Sequence, residues 1–230
     1  MKRAPVIAID GPAASGKSTA ARNLARHLGL KFLDSGAMYR AVTWKAIQQG
    51  VDLASEQALA AVADSMHVDL PCASNQERVL ADGIDVTQAI RTPELTAKVF
   101  YAARSPEVRK RVGRWQRKFG EAGGIVAEGR DMTTVIFPDA DVKFYLDAAV
   151  DERARRRCDE LRAKGEPADF QTVRRELVER DRSDLERAVS PLRRADDAVY
   201  VDTTNLLIDQ TLARLVAEVE ARTGWRRPAA

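Results

Sequence analysis

Val6-Ile7-Ala8-Ile9-Asp10-Gly11-Pro12-Ala13-Ala14-Ser15-Gly16-Lys17-Ser18-Thr19 is the stretch that decides the fold. An apolar strand-like run feeds into G-x-x-x-x-G-K-[ST], and an apolar helical pattern follows. That is the strand-loop-helix context in which the motif cradles phosphates. Its glycines let successive backbone N–H groups turn inward around phosphate oxygens, and the helix N-terminus adds partial positive charge. Gly11 to Thr19 therefore form the expected triphosphate cradle. Lys17 is expected to reach the outer phosphates, and the Ser18 hydroxyl is suited to Mg²⁺. A nucleoside triphosphate is the implied ligand.

Outward from this loop, strands and helices alternate. The spacing predicts a first helix from about Lys17 to His27 with Gly29 as its C-terminal cap. A strand over Leu30–Leu33 ends at Asp34-Ser35-Gly36, and helices follow from about Met38 to Gln49 and from Ser55-Glu56. Residues 66–90 change character, with short alternating runs around Asp82-Gly83, a hairpin signal that predicts a small antiparallel insertion. Helices resume near Pro93 and at Ser105-Pro106, where Ser caps and Pro occupies the first helical position. Strands Ile125–Ala127, Val142–Leu146 and Ala198–Val201 are interleaved with helices from about Asp151, over Phe170–Arg180 and over Leu206–Ala221. The tail from Gly224 reads as frayed. The fold class is α/β: a parallel sheet flanked by helices, with ligands outside the carboxyl ends of its strands.

Composition narrows the function. The chain has 230 residues, 45% hydrophobic and 31% charged, with a net charge of +3. That balance gives no general attraction for nucleic acid. Cys72 and Cys158 have neither metal-ligand spacing nor a disulfide framework, and His27 and His67 make no zinc pattern. No apolar run approaches the roughly 18 residues of a membrane span, and the strand beginning at Val6 leaves no room for a signal peptide. A cytoplasmic protein is expected. A guanine-reading Asn-Lys-x-Asp is absent, since Asn23, Asn75 and Asn205 are not followed by Lys. Leu146-Asp147 is followed by Ala148 where an ATPase would carry a water-activating Glu.

What remains points to a second anion site. Ser35 to Arg40 offers a hydroxyl, an aromatic ring and a guanidinium beside a strand end. Arg109 follows Ser105-Pro106, Arg130 and Asp131 follow the next strand, and Arg187 lies near Asp184. Arginine suits a phosphate monoester because its fork donates two parallel hydrogen bonds. The arginines from Arg153 to Arg194 are also interleaved with Asp and Glu, so much of that run reads as a solvated helix.

The chain resembles the bacterial cytidylate kinases, of the nucleoside monophosphate kinase group. The resemblance rests on the phosphate loop, Leu33-Asp-Ser-Gly-Ala-Met-Tyr-Arg40, Ile90-Arg-Thr-Pro93, Pro106-Glu-Val-Arg109, Glu128-Gly-Arg-Asp-Met132, Val135-Ile-Phe-Pro-Asp139 and Arg187-Ala-Val-Ser-Pro-Leu192. It extends from residue 5 to about 215. It implies a P-loop kinase transferring the γ-phosphoryl of ATP to CMP or dCMP in pyrimidine nucleotide metabolism. A monophosphate-binding region over 36–100 would carry the insertion at about 66–90. A short helical lid would span 158–178, centred on 163–171, with the remainder of the single 1–230 unit as core. The implied acceptor residues are Ser35, Arg40, Arg109, Arg130, Asp131, Asp184 and Arg187, with Arg40 and Arg130 on the phosphate. Arg153 and Arg157, one helical turn apart, join the loop on ATP. Lys17, Arg130, Arg157, Arg180 and Arg187 are the implied catalytic set. Mg²⁺ is expected on Ser18, with Asp34 or Glu128 acting through water. A monomer is expected.

Two positions depart from the family pattern: Phe100 stands where a serine is common, and Thr133 where glycine is. The alternatives at this point are a kinase of UMP or another small phosphorylated acceptor, and a P-loop nucleotide sensor.

Overall fold

The structure, a computed structural model, describes residues 3–71 and 78–227. Cys72, Asn75 and part of the expected insertion lie outside the described residues. The chain groups into two compact units, one of Met1–Phe32 with Gly123–Ala230 and one of Leu33–Ala122. In chain order the elements are β1 (Val6–Asp10), α1 (Lys17–Leu28), β2 (Lys31–Asp34), α2 (Ser35–Gln48) and α3 (Glu56–Ser65). Then come β3 (Val68–Asp69), β4 (Leu80–Ala81), β5 (Ile84–Asp85), α4 (Pro93–Arg104) and α5 (Pro106–Gly120). The chain closes with β6 (Ile125–Gly129), β7 (Val142–Asp147), α6 (Val150–Ala163), α7 (Phe170–Glu186), β8 (Val199–Asp202) and α8 (Ile208–Thr223).

The main sheet has the order β2-β6-β1-β7-β8, and the β1–β6, β1–β7 and β7–β8 pairings are parallel. Every residue of β1 and β6 is buried, which is why these strands read as near-continuous apolar runs rather than alternating ones. Ile7, Ile9, Phe144, Leu146 and Val201 of the sheet share one core with Leu24 and Leu28 of α1 and Leu215 and Val219 of α8. The alternating α/β reading holds. The second unit carries the expected insertion as an antiparallel β3-β4-β5 sheet. Asp82 and Gly83 both have positive φ, 51° and 80°, the backbone that a two-residue hairpin turn requires.

Several boundaries moved for local reasons. The second helix begins at Ser35, not Met38, because the Asp34 side chain accepts from the Ala37 N–H at 3.0 Å and caps it. The helix expected to end at Arg180 continues to Glu186. Ion pairs of Asp181 with Arg153 and of Asp184 with Arg130 fix that added stretch. The stretch 158–178 comprises the end of α6, a connection turning at Gly165, and the start of α7. Cys158, Val173 and Leu177 bury together there, with Phe170 packed against them. The unit of 33–122 includes α5, which packs on α3 and α4.

The tail is not frayed as far as it is described. Gly224 caps α8 in the left-handed region, and the Trp225 indole N–H donates to the Leu28 carbonyl at 3.3 Å while its ring packs on the sheet core. Residues 130–136 hold a feature the sequence did not announce, a π-helical turn over Met132–Ile136.

Candidate active site

In the first unit, β1 delivers the chain into the phosphate loop so that Gly11 presses on β7. A Cβ at Gly11 would lie 2.0 Å from the Leu146 carbonyl oxygen, so only glycine fits. Gly16 sits in the left-handed region, φ 83°, immediately before α1. The Ser15 hydroxyl is buried and has no hydrogen-bond partner among the described residues. Lys17 is buried, its Nζ donating to the Pro12 carbonyl at 3.1 Å and lying 4.0 Å from Glu128 Oε2. Burial pushes its ammonium down to about 7; Arg130 adds to the effect and Glu128 partly offsets it.

Glu128, at the end of β6, accepts from the Ser18 hydroxyl at 2.8 Å. Paired oxygen donors of this kind suit a hard divalent cation that keeps waters and shares substrate phosphates. Among the described residues no group of three His, Cys, Asp or Glu could hold a metal by itself. Of the two acids expected beside Ser18, Glu128 is in contact with it, whereas Asp34 serves as the cap of α2 in the other unit.

Behind the loop, two arginines act as braces. Arg153 is buried, donating to the Ala148 carbonyl at 2.9 Å and the Ala13 carbonyl at 3.1 Å, and pairing with Asp181 at 2.7 Å. Arg156 donates to the carbonyl and hydroxyl of Thr203, whose hydroxyl in turn donates to the Ser15 carbonyl at 3.0 Å. Sequence reasoning missed Arg156 and Thr203, and their separation of 47 positions leaves no local signal. Arg157, expected to share a face with Arg153, is half exposed and pairs with Glu160 at 3.2 Å.

Also within the first unit, Asp184 gathers two guanidinium groups: Arg130 Nε at 2.8 Å and Arg187 NH1 at 3.7 Å. Burial pushes the Asp184 carboxyl up, but Arg130 beside it, with Arg180 and Arg187, outweighs that and holds it below the usual range. Arg187 also donates from Nε to the Ser190 carbonyl at 2.6 Å. Arg180 is an exposed residue of α7 whose charge reaches both Lys17 and Asp184. Asp131 is buried at the head of the π-helical turn, its carbonyl accepting from the Val135 and Ile136 N–H groups. Thr133 takes no left-handed backbone there, so the departure from glycine introduces no strain of that kind.

The unit of 33–122 assembles its own set. Ser35 is buried at the start of α2, and Arg40 turns back so that its guanidinium overlies Gly36. Arg109 is buried on α5 with its guanidinium 5.3 Å from the Tyr39 ring centroid, a cation–π geometry, while NH1 donates to the Ala103 carbonyl at 2.9 Å. Phe100 stacks on Tyr101, both rings partly exposed. The seven expected acceptor residues thus fall into two clusters, one per unit: Ser35, Arg40 and Arg109; and Arg130, Asp131, Asp184 and Arg187.

Comparison with known proteins accords with this geometry. A family model described as cytidylate kinase matches residues 7–221. The chain is 48% identical over 214 residues to a cytidylate kinase of Exiguobacterium sibiricum, covering 93% of this chain and 96% of that one. It is 45% identical over 222 residues to a cytidylate kinase of Anoxybacillus flavithermus, covering 96% and 99%. Among solved structures, an uncharacterized protein from Eubacterium ventriosum shares the fold, with a TM-score of 0.52, 14% identity and coverage of 95% and 99%. The phosphate loop, the Glu128-Gly-Arg-Asp-Met132 turn and a match running almost the whole length lead to one conclusion: the chain belongs to the cytidylate kinase family.

Proposed function

We propose that this chain transfers the γ-phosphoryl group of ATP to CMP or dCMP, giving ADP and CDP or dCDP, with Mg²⁺ accompanying ATP. The observation that carries the reading is the pairing, within one unit, of a phosphate loop armed with Lys17 and a guanidinium cluster around Asp184. A P-loop alone would serve a sensor as well, but such a sensor would leave that cluster without a task.

The acceptor phosphate is already anionic near neutral pH, so attack needs no general base. Catalysis is then positioning and electrostatic stabilisation of the transferred group. The backbone of Gly11 to Thr19 holds the donor phosphates, Lys17 bridges their outer oxygens, and Ser15 finds the partner it lacks. Ser18 and Glu128 would hold the cation, which would supply neutralisation of donor-phosphate charge. Arg130 and Arg187, both paired with Asp184, offset the repulsion between two phosphorylated reactants. Arg157 and Arg180 bring further positive charge as α6 and α7 close on ATP, and closure excludes water. Arg153 supports the loop from behind. Within the unit of 33–122, Ser35, Arg40 and Arg109 are the residues suited to reading the acceptor, with Tyr39 holding the Arg109 guanidinium in place.

Initial rates with CMP, dCMP, UMP and AMP at fixed ATP and Mg²⁺ test the reading. Turnover led by CMP and dCMP is expected. UMP or AMP faster than both would replace the acceptor, and ATP hydrolysis indifferent to every monophosphate would replace the enzyme with a sensor.

A further inference from the structure

Asp10 closes β1 and is fully buried. Its two carboxylate oxygens accept three hydrogen bonds, all from the turn that carries Arg130 and Asp131. Oδ1 takes the Met132 N–H at 2.9 Å, and Oδ2 takes the Thr133 N–H at 2.7 Å and the Thr133 hydroxyl at 2.6 Å. The residues involved lie 122 and 123 positions apart in sequence. β6 is paired with β1 in this register, Gly129 opposite Asp10, so the turn begins directly beside the carboxylate. Gly129 is held by the sheet and Met132 and Thr133 by the carboxylate, so both ends of the Arg130–Asp131 step are tied to Asp10.

We propose that Asp10 and Thr133 form a positioning clamp that sets the Arg130–Asp131 turn for phosphoryl transfer, with the Thr133 hydroxyl as its third donor. The clamp rests on the assignment of Arg130 and Asp131 to the acceptor given above. Charge state matters because three donors need an acceptor-only group, and a protonated carboxyl brings a fourth hydrogen into the same space. The charged and titratable groups facing Asp10 are Asp131 on the same turn, which opposes ionisation, Arg130 beside it, which favours it, and the Tyr145 phenol opposite it on β7. Burial pushes Asp10 up to about 6, against the Thr133 hydroxyl and N–H, which hold it down. Removing the hydroxyl therefore moves the carboxyl further up, toward neutrality.

The test uses Thr133→Val, which keeps the shape and loses the donor, Thr133→Ser, which restores the donor, and Asp10→Asn. Carbon-13 NMR titration of the Asp10 carboxyl is expected to give a midpoint near 6 in the wild type. It should rise by about one pH unit in Thr133→Val, the scale of one lost hydrogen bond to a carboxylate, and return in Thr133→Ser. The kcat ratio of wild type to Thr133→Val with CMP should then be about fivefold at pH 6 and close to unity at pH 8, with KM for ATP unchanged. Taking that ratio cancels the titration of the substrates' own phosphates. Asp10→Asn should lose roughly tenfold or more at every pH, as an amide cannot accept three bonds. A shifted carboxyl with a pH-independent rate ratio would make the contact purely structural and overturn the proposal, as would an unshifted carboxyl. If Asp10→Asn fails to fold, the threonine pair decides. If the wild type leaves CMP untouched, the acceptor assignment fails by itself, and the carboxyl titration still decides whether the clamp exists.

Discussion

A methyl group on Gly11 would sit 2.0 Å from the Leu146 carbonyl, a backbone atom that cannot swing away. Gly11→Ala must therefore push the phosphate loop off β7 or part β1 from β7. Overpacking of this kind costs about 1–3 kcal/mol, and a displaced loop also loses its aim at the phosphates. The expected outcome is a lowered melting temperature together with a raised KM for ATP; an unchanged KM would mean that the loop does not depend on that contact. Lys17 is the opposite case, a residue whose removal relieves the fold. Buried between Pro12 and Glu128, it supplies the loop's only preorganised ammonium. Lys17→Ala is expected to cost about 10³-fold in turnover, the scale of losing one preorganised donor, with folding intact. Near-normal turnover would remove Lys17 from the mechanism.

At the scale of elements, α6, α7 and the phosphate loop are joined through one side chain. Arg153 ties the Ala13 and Ala148 carbonyls to Asp181 from inside the fold. Removing one partner of a buried pair leaves the other charge uncompensated, at about 3–5 kcal/mol. Arg153→Met should lower thermal stability by that order, and Asp181→Asn in the same background should restore part of it. A double variant no better than the single one would show that Asp181 is not the stranded charge. The sequence made the elements around this joint legible but not the joint. Apolar runs and glycines announced β1, α1 and the Asp82-Gly83 hairpin, because strand burial and turn backbone are written in adjacent residues. The continuation of α7 from Arg180 to Glu186 was not readable, since Asp181 and Asp184 are poor helix formers whose cost is met by Arg153 and Arg130 from far along the chain. For the same reason Arg153 and Arg157 looked alike by spacing, although one is a buried brace and the other a half-exposed residue of α6. Trp225 was misread as part of a loose tail, because a single aromatic after a terminal glycine carries no periodicity. The candidate site was legible as a local arrangement in the phosphate loop and the Gly129-Arg-Asp131 turn. It was hidden where it depends on tertiary partners, as with Arg156, Thr203 and the Asp10–Thr133 contact.

The whole molecule carries two buried charges near its phosphate loop that oppose folding, and their costs overlap in one pH window. Asp10 has a folded pKa raised from 3.8 to about 6. The stability it contributes is complete below about 4 and is lost as pH rises through 6. Ionising it in the fold then costs about 3 kcal/mol, as an order of magnitude. Lys17 has a folded pKa lowered from 10.5 to about 7. The stability it contributes is complete above about 10.5 and is lost as pH falls through 7, because the buried ammonium must then be charged. Between pH 6 and 7 both contributions are absent, so these two groups place the weakest point of the free protein close to neutrality. Lys17→Met keeps the aliphatic volume and removes the lysine charge. It should raise the melting temperature of the free protein at pH 6.5, where about 2–4 °C accompanies each kcal/mol in a chain of this size. The gain should shrink as pH rises toward 10, where the wild-type ammonium has already been lost. A nonhydrolysable ATP analogue should stabilise the wild type and take up protons at pH 8, because triphosphate oxygens draw the Lys17 pKa back up; the variant should show no such uptake. Calorimetry in two buffers of different ionisation enthalpy measures that uptake directly. A melting-temperature difference that stayed constant from pH 6.5 to 10 would mean that Lys17 is fully charged in the free fold, and that burial of its ammonium is not what the phosphate loop holds in reserve for its ligand.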